Sequence, residues 1–136
     1  MVKSIFQFTD PKLEFLSLQI NQDLKKPLDG RLVDMEISTD ISKKRITGEN
    51  RAEVALNITI GEVSAYIPFF INIKMSSIFI WEDKLENNDI DELLSVNAPS
   101  LIFSYIRPIV ALITQQSKYP SYNLPFMDFS KEITKE

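Results

Sequence analysis

The sequence predicts an α+β domain in which four strands of an antiparallel sheet precede a short helix and a long one. Apolar residues alternate with a period of two in four runs before residue 82, and the links between those runs are too short for βαβ crossovers. From residue 89 the apolar spacing becomes that of a helix. A chain of 136 residues buries roughly two thirds of its unfolded surface, so one domain over residues 1–136 is expected.

The first strand is expected over residues 13–20, with Leu16, Leu18 and Ile20 on one side and Ser17 and Gln19 on the other. Lys25-Lys26-Pro27 and Asp29-Gly30 then favour a loop, through a fixed proline dihedral and a permissive glycine. Val33, Met35 and Ile37 alternate with Asp34, Glu36 and Ser38 in a second strand, and residues 42–50 read as a loop. Val54, Leu56, Ile58 and Ile60 form the third strand, and residues 61–64 break it. The fourth puts Ile67, Phe69, Ile71 and Ile73 on one face, Tyr66, Phe70, Asn72 and Lys74 on the other, and bends at Ser76-Ser77 before Ile78-Phe79-Ile80-Trp81.

Residues 82–88 are a polar connection, and residues 89–96 a short helix with acids in its first turn. Asn97-Ala98-Pro99 reads as a second helix start with Asn97 as its cap, and the main helix runs over residues 99–116 with a kink or break at Pro108. Ser100, Ser104, Arg107, Ala111, Thr114 and Gln115 fall on one narrow stripe, and apolar side chains cover the rest of the circumference. A helix lying on its own sheet needs a narrower apolar band, so the excess is assigned to a subunit interface through Ile102, Tyr105, Ile106, Ile109 and Ile113, the alternative being that the carboxyl-terminal segment caps the helix. After it, residues 119–129 hold two prolines among aromatic and apolar groups; they cannot form a regular helix and must pack on something.

The chemistry the sequence lacks is equally informative. With no His and no Cys it has neither the commonest general base, nor the usual zinc ligands, nor a thiol nucleophile, and its three glycines are scattered singly, leaving no phosphate-binding loop. Asp89, Asp91 and Glu92 are the densest acidic group, and their place at a helix start assigns them to the helix dipole. No catalytic residue, metal site or cofactor is therefore expected. The net charge of −4 disfavours nucleic acid, and Lys43-Lys44-Arg45 reads as a solvated loop. No run resembles a signal peptide or approaches the roughly 20 apolar residues of a membrane span, so a cytoplasmic protein without membrane insertion is expected.

The segment from Ser95 to Arg107 resembles the Asn-Ala-Pro, Leu-Phe, Tyr-x-Arg signature that opens the long helix of SecB export chaperones. Tyr119-Pro120, Asn123-Leu124 and Met127-Asp128-Phe129 continue the resemblance, and residues 65–79 are similar to the family's bent strand. The resemblance implies a four-stranded antiparallel sheet with helices on one side and a homotetramer built as a dimer of dimers through the long helix. It also implies an ATP-independent holdase for unfolded polypeptides, preproteins for export among them. Val33, Met35 and Ile37 would then line the client groove, and Tyr122, Leu124, Phe126 and Phe129 would lie in the segment that covers it. Glu14, Phe70 and Asn72 would occupy the sheet surface that faces a translocase ATPase. Asn72 stands where the family has a glutamate, which counts against translocase docking and favours a dedicated chaperone of one client, such as an antitoxin. A non-chaperone interaction subunit on the same fold is a further alternative.

Overall fold

The computed structural model describes residues 1–25 and 35–131. Its elements are strands β1 (Phe6–Ile20), β2 (Ile37–Arg45), β3 (Arg51–Gly61) and β4 (Phe69–Trp81), helix α1 (Asn87–Glu92), a π-helical turn (Leu93–Asn97) and helix α2 (Ala98–Gln115). The strands form one antiparallel sheet in the order β1-β4-β3-β2. The predicted fold class stands.

The two central strands carry the longest apolar alternations because they have neighbours on both sides. Leu56 pairs with Ile41 and Met75, Ile58 with Ile73, and Ile60 with Ile37 and Ile71, so one face of the sheet is a continuous aliphatic layer. Helices cover that face: Ile90, Leu94, Ile102, Ile106 and Val110 join Val54, Leu56, Ile58, Ile71 and Ile73 in the core. Polar residues alternate outward, as expected of an antiparallel sheet with one face open.

Strand β1 begins well before the expected position 13, because Asp10-Pro11 does not end it. Its register against β4 shifts between Thr9 and Lys12 and again between Leu13 and Phe15, with Asp10 in the left-handed region at φ 38°. Two bulges absorb the extra residues opposite the buried Ser76 and Ser77. Ser77 Oγ donates to the Thr9 carbonyl at 2.6 Å and Ser76 Oγ to the Glu14 carboxylate, so hydroxyls serve where the ladder is interrupted. Upstream of the bulges, Phe6 stacks on Phe79 and Trp81, and Phe8 lies tilted against Phe79.

Strand β2 is also displaced from its expected place. Val33 lies outside the described residues, Met35 precedes the strand, and pairing continues through Lys43, Lys44 and Arg45. That basic run is a strand end and not a solvated loop: Lys43 Nζ donates to Ser95 Oγ at 2.6 Å, and the Arg45 guanidinium lies 5.2 Å from the Trp81 ring centre.

No break separates the helices. Asn97 is helical at φ −72°, ψ −39° and makes no side-chain cap, so the expected second helix start is instead a passage from α1 through the π turn into α2. Pro99 explains the widened turn, since an α-helical turn would bring its ring against the Ser95 carbonyl. Pro108 leaves α2 continuous, without the expected break. The fused helix, Asn87–Gln115, is 29 residues long and is apolar and long enough to cross a membrane by length and composition, contrary to the expectation that no segment approaches that length. Its inner stripe, Ile102, Ile106 and Val110, is fully buried against the sheet, which makes it this subunit's core helix.

Candidate client groove and assembly surfaces

The segment after α2 turns back along the helix. The Tyr122 N–H donates to Thr114 Oγ1 at 2.8 Å, Arg107 Nε donates to the Leu124 carbonyl at 3.0 Å, and Phe129 packs edge-on to Phe103 at 5.7 Å. Residues 119–129 therefore find their packing partner in α2 of the same chain. Ser130 donates its hydroxyl (2.5 Å) and its N–H (3.0 Å) to Asp128 Oδ1, holding that carboxyl below its usual range and closing the segment with a turn.

The expected groove residues divide by burial. Met35, Tyr122 and Leu124 are buried in the subunit's own core, so they reach a client only if the returning segment lifts. All three belong to the hydrophobic core cluster, Met35 just before β2 and Tyr122 and Leu124 in the returning segment expected to cover the groove. Ile37 and Phe129 are half-buried, and Phe126 is 89% exposed with the Arg107 guanidinium 4.8 Å from its ring centre.

The expected interface residues divide in the same way. Ile102 and Ile106 are fully buried against the sheet, which corrects their assignment to an intersubunit surface. Tyr105 is exposed, and Ile109 and Ile113 are half-buried. The open side of α2 is the stripe Tyr105, Pro108 and Leu112, with Leu112 59% exposed and Leu101 half-buried at its margin. Sequence periodicity missed Leu112 because apolar groups surround almost the whole helix. It also placed Thr114 with the outward polar residues, whereas Thr114 is fully buried and bonds both the helix and the returning segment.

Beside this stripe, Tyr105 meets Phe8 edge-on at 6.2 Å, and α2 leaves the neighbouring part of β1 uncovered. Leu13 and Leu16 are exposed there, on a strand that ends the sheet, while Phe15, also exposed, pairs with Lys74 and faces the opposite side of the sheet. An uncharged strand edge from Phe15 to Ile20 with apolar flanks is a template for pairing with another chain.

Glu14, Phe70 and Asn72 all lie on the sheet face turned away from the helices. Asn72 pairs with Ser17 and Thr59, Phe70 with Gln19 and Gly61. Glu14 accepts from Ser76 Oγ and stands 3.7 Å from Lys74 Nζ, so its charge is already partnered.

A family model, Preprotein translocase subunit SecB, matches residues 16–133, and the chain belongs to that family. The Protein-export protein SecB of Anaplasma phagocytophilum (strain HZ) is 36% identical over 87 residues, covering 62% of this chain and 55% of that protein. That of Rickettsia massiliae (strain Mtu5) is 33% identical over 99 residues, covering 70% and 62%. The chain thus spans less than two thirds of the length of the relatives it matches. Among solved structures, a Mycobacterium tuberculosis SecB-like chaperone in complex with a ChAD peptide from the HigA1 antitoxin superposes with a TM-score of 0.70 at 10% identity, covering 90% of this chain and 88% of that one. At that identity the likeness is one of fold.

Proposed function

We propose that the chain is a subunit of an ATP-independent holdase that keeps polypeptides unfolded, preproteins for export among them, and catalyses no reaction. The observation that carries this reading is the apolar surface left open after the core is filled: Tyr105 and Leu112 on α2, Leu13, Phe15 and Leu16 on β1, and Phe126 on the returning segment. A lone soluble subunit does not keep such surface wet without a use for it. The α2 stripe and the β1 edge suit sister subunits in a homotetramer arranged as a dimer of dimers, working in the cytoplasm. Phe126 on the returning segment suits an extended client, which gains roughly 25 cal/mol per Å² of apolar area it buries. No nucleic acid, membrane, metal or cofactor enters this mechanism.

A stoichiometric amount of the protein is expected to slow aggregation of a chemically unfolded model substrate, with a solution mass several times the 15.7 kDa of one chain. Unchanged aggregation by a folded, oligomeric protein would overturn the reading.

A second reading, a chaperone dedicated to one client, is favoured by the outward sheet face. Glu14 is partnered by Lys74, and Asn72 supplies no charge, so the face offers little to a basic translocase segment. The antitoxin peptide held by the mycobacterial protein of similar fold illustrates what such a client is like. Native pull-down separates the two: a mixture of unfolded precursors favours export, one stoichiometric client the dedicated role.

A further inference from the structure

On the returning segment Tyr122 and Leu124 are buried, and Met127 and Phe129 are half-buried against the core, yet Phe126 stands 89% exposed in the same stretch. A phenyl ring free to turn gains by folding down onto such neighbours. Arg107 meets it instead. Its Nε donates to the Leu124 carbonyl at 3.0 Å, and its guanidinium carbon lies 4.8 Å from the centre of the Phe126 ring. Neither side chain has another hydrogen-bonding, ionic or ring partner among the described residues.

One planar group thus makes two contacts, a hydrogen bond from its Nε and a cation–π contact with the ring. Both ends are carried by fixed structure. Ile106 and Val110, beside Arg107 on α2, are fully buried against the sheet, so the helix that bears the guanidinium is rigid. The backbone around Phe126 is pinned by buried Leu124 on one side and by the edge-on contact of Phe129 with Phe103 on the other. What remains free is the rotation of the ring itself, and that is what the guanidinium restrains. A side chain already held in one orientation loses less conformational freedom when a second surface lands on it.

We infer that Arg107 is a positioning residue for client binding: by tying the Leu124 carbonyl and stacking on Phe126, it holds that ring outward as a preformed apolar contact. The inference deepens the holdase reading and rests on it. Arg107 acts through Phe126 and not by attracting charge on the client, so its effect depends on the aromatic ring being there.

The test is a double-mutant cycle, read by fluorescence anisotropy with a labelled, permanently unfolded substrate, carboxymethylated lactalbumin. Arg107→Met keeps a long flexible side chain and removes the planar cation, while Phe126→Leu keeps an exposed apolar contact and removes the aromatic face. With Phe126 present, Arg107→Met should weaken binding roughly two- to fivefold, the range of an exposed cation–π contact. In the Phe126→Leu background the same substitution should change nothing. Loosening of the whole returning segment through the lost Leu124 tie would weaken both backgrounds alike, so equal losses overturn the inference, as does the absence of any loss. Arg107→Lys keeps the charge but cannot hold the carbonyl and cover the ring with one head group, and should reproduce most of the loss. Wild-type affinity in that variant would assign Arg107 to charge alone and overturn the inference as well. Far-UV circular dichroism checks that each variant is folded. A wild-type protein that binds no unfolded substrate removes the holdase and the positioning residue together, whereas binding indifferent to Arg107 removes only the latter.

Discussion

Thr114 Oγ1 stands between two backbones: it donates to the Val110 carbonyl at 2.8 Å within α2 and accepts the Tyr122 N–H at 2.8 Å from the returning segment. A residue typical of a helix surface is thereby the buried joint between the helix and its cover. Thr114→Val keeps the shape and removes the acceptor, so the Tyr122 N–H loses this bond in a dry place. The expected loss is about 1–3 kcal/mol in chemical denaturation. Thr114→Ser, which retains the hydroxyl, should lose less than the valine variant. Equal losses would assign the effect to packing.

Gly61 ends β3 at φ +76°, and a Cβ there would lie 2.3 Å from the Phe69 carbonyl oxygen. Gly48 has a similar φ of +79° with nothing within 4 Å of a Cβ. The two separate conformational cost from collision. Gly48→Ala should lose about 1–2 kcal/mol from the left-handed backbone alone, and Gly61→Ala clearly more, roughly 2–4 kcal/mol once crowding is added. Urea unfolding of both variants checks the order. Because Gly61 N–H also donates to the Glu36 carbonyl at 2.8 Å, the damage at Gly61 should reach the start of β2.

What was legible in the sequence follows burial. β3 and β4 are flanked on both sides, so their inward positions are apolar without exception from Val54 to Ile60 and from Phe69 to Met75, and both strands could be read directly. The edge strands were misplaced because their signals are mixed. β2 turns Thr39, Lys43 and Arg45 inward near the helices, and β1 runs through Asp10-Pro11 only because Ser76 and Ser77 accept a bulged partner. In α2 the apolar excess was legible, but its allocation was not. A helix apolar on most of its surface does not say which half meets its own sheet, and that left Ile102 and Ile106 on the wrong side of the division and Leu112 unassigned.

Phe126 offers a substitution that separates function from stability. Its ring is almost wholly in water, so Phe126→Ala should change unfolding free energy by no more than about 0.5 kcal/mol, the usual range for surface positions. If the ring is a client contact, suppression of substrate aggregation should weaken several-fold at equal protein concentration. Light scattering of the substrate measures this, and undiminished suppression would remove Phe126 from the client surface. Phe129→Ala is the contrasting case, since its edge-on contact with Phe103 is structural, and that variant should lose stability as well.

The division of α2 into a buried and an open stripe gives opposite outcomes for a charge placed on each. Leu112→Asp introduces a carboxylate at an exposed position, so the subunit should keep its fold and its far-UV circular dichroism. If that stripe meets a sister subunit, the buried charge has no partner there, and the assembly should shift toward smaller species. Ile109→Asp, on the half-buried shoulder, should do the same with a modest loss of stability. Ile106→Asp places the charge against β3 and β4, where Ile106 has no exposed surface, and should abolish cooperative unfolding before any question of assembly arises. Multi-angle light scattering beside circular dichroism reads all three variants. A mass unchanged by Leu112→Asp and Ile109→Asp would mean that sister subunits meet elsewhere, leaving the β1 edge, with Leu13, Phe15 and Leu16 exposed, as the surface to test.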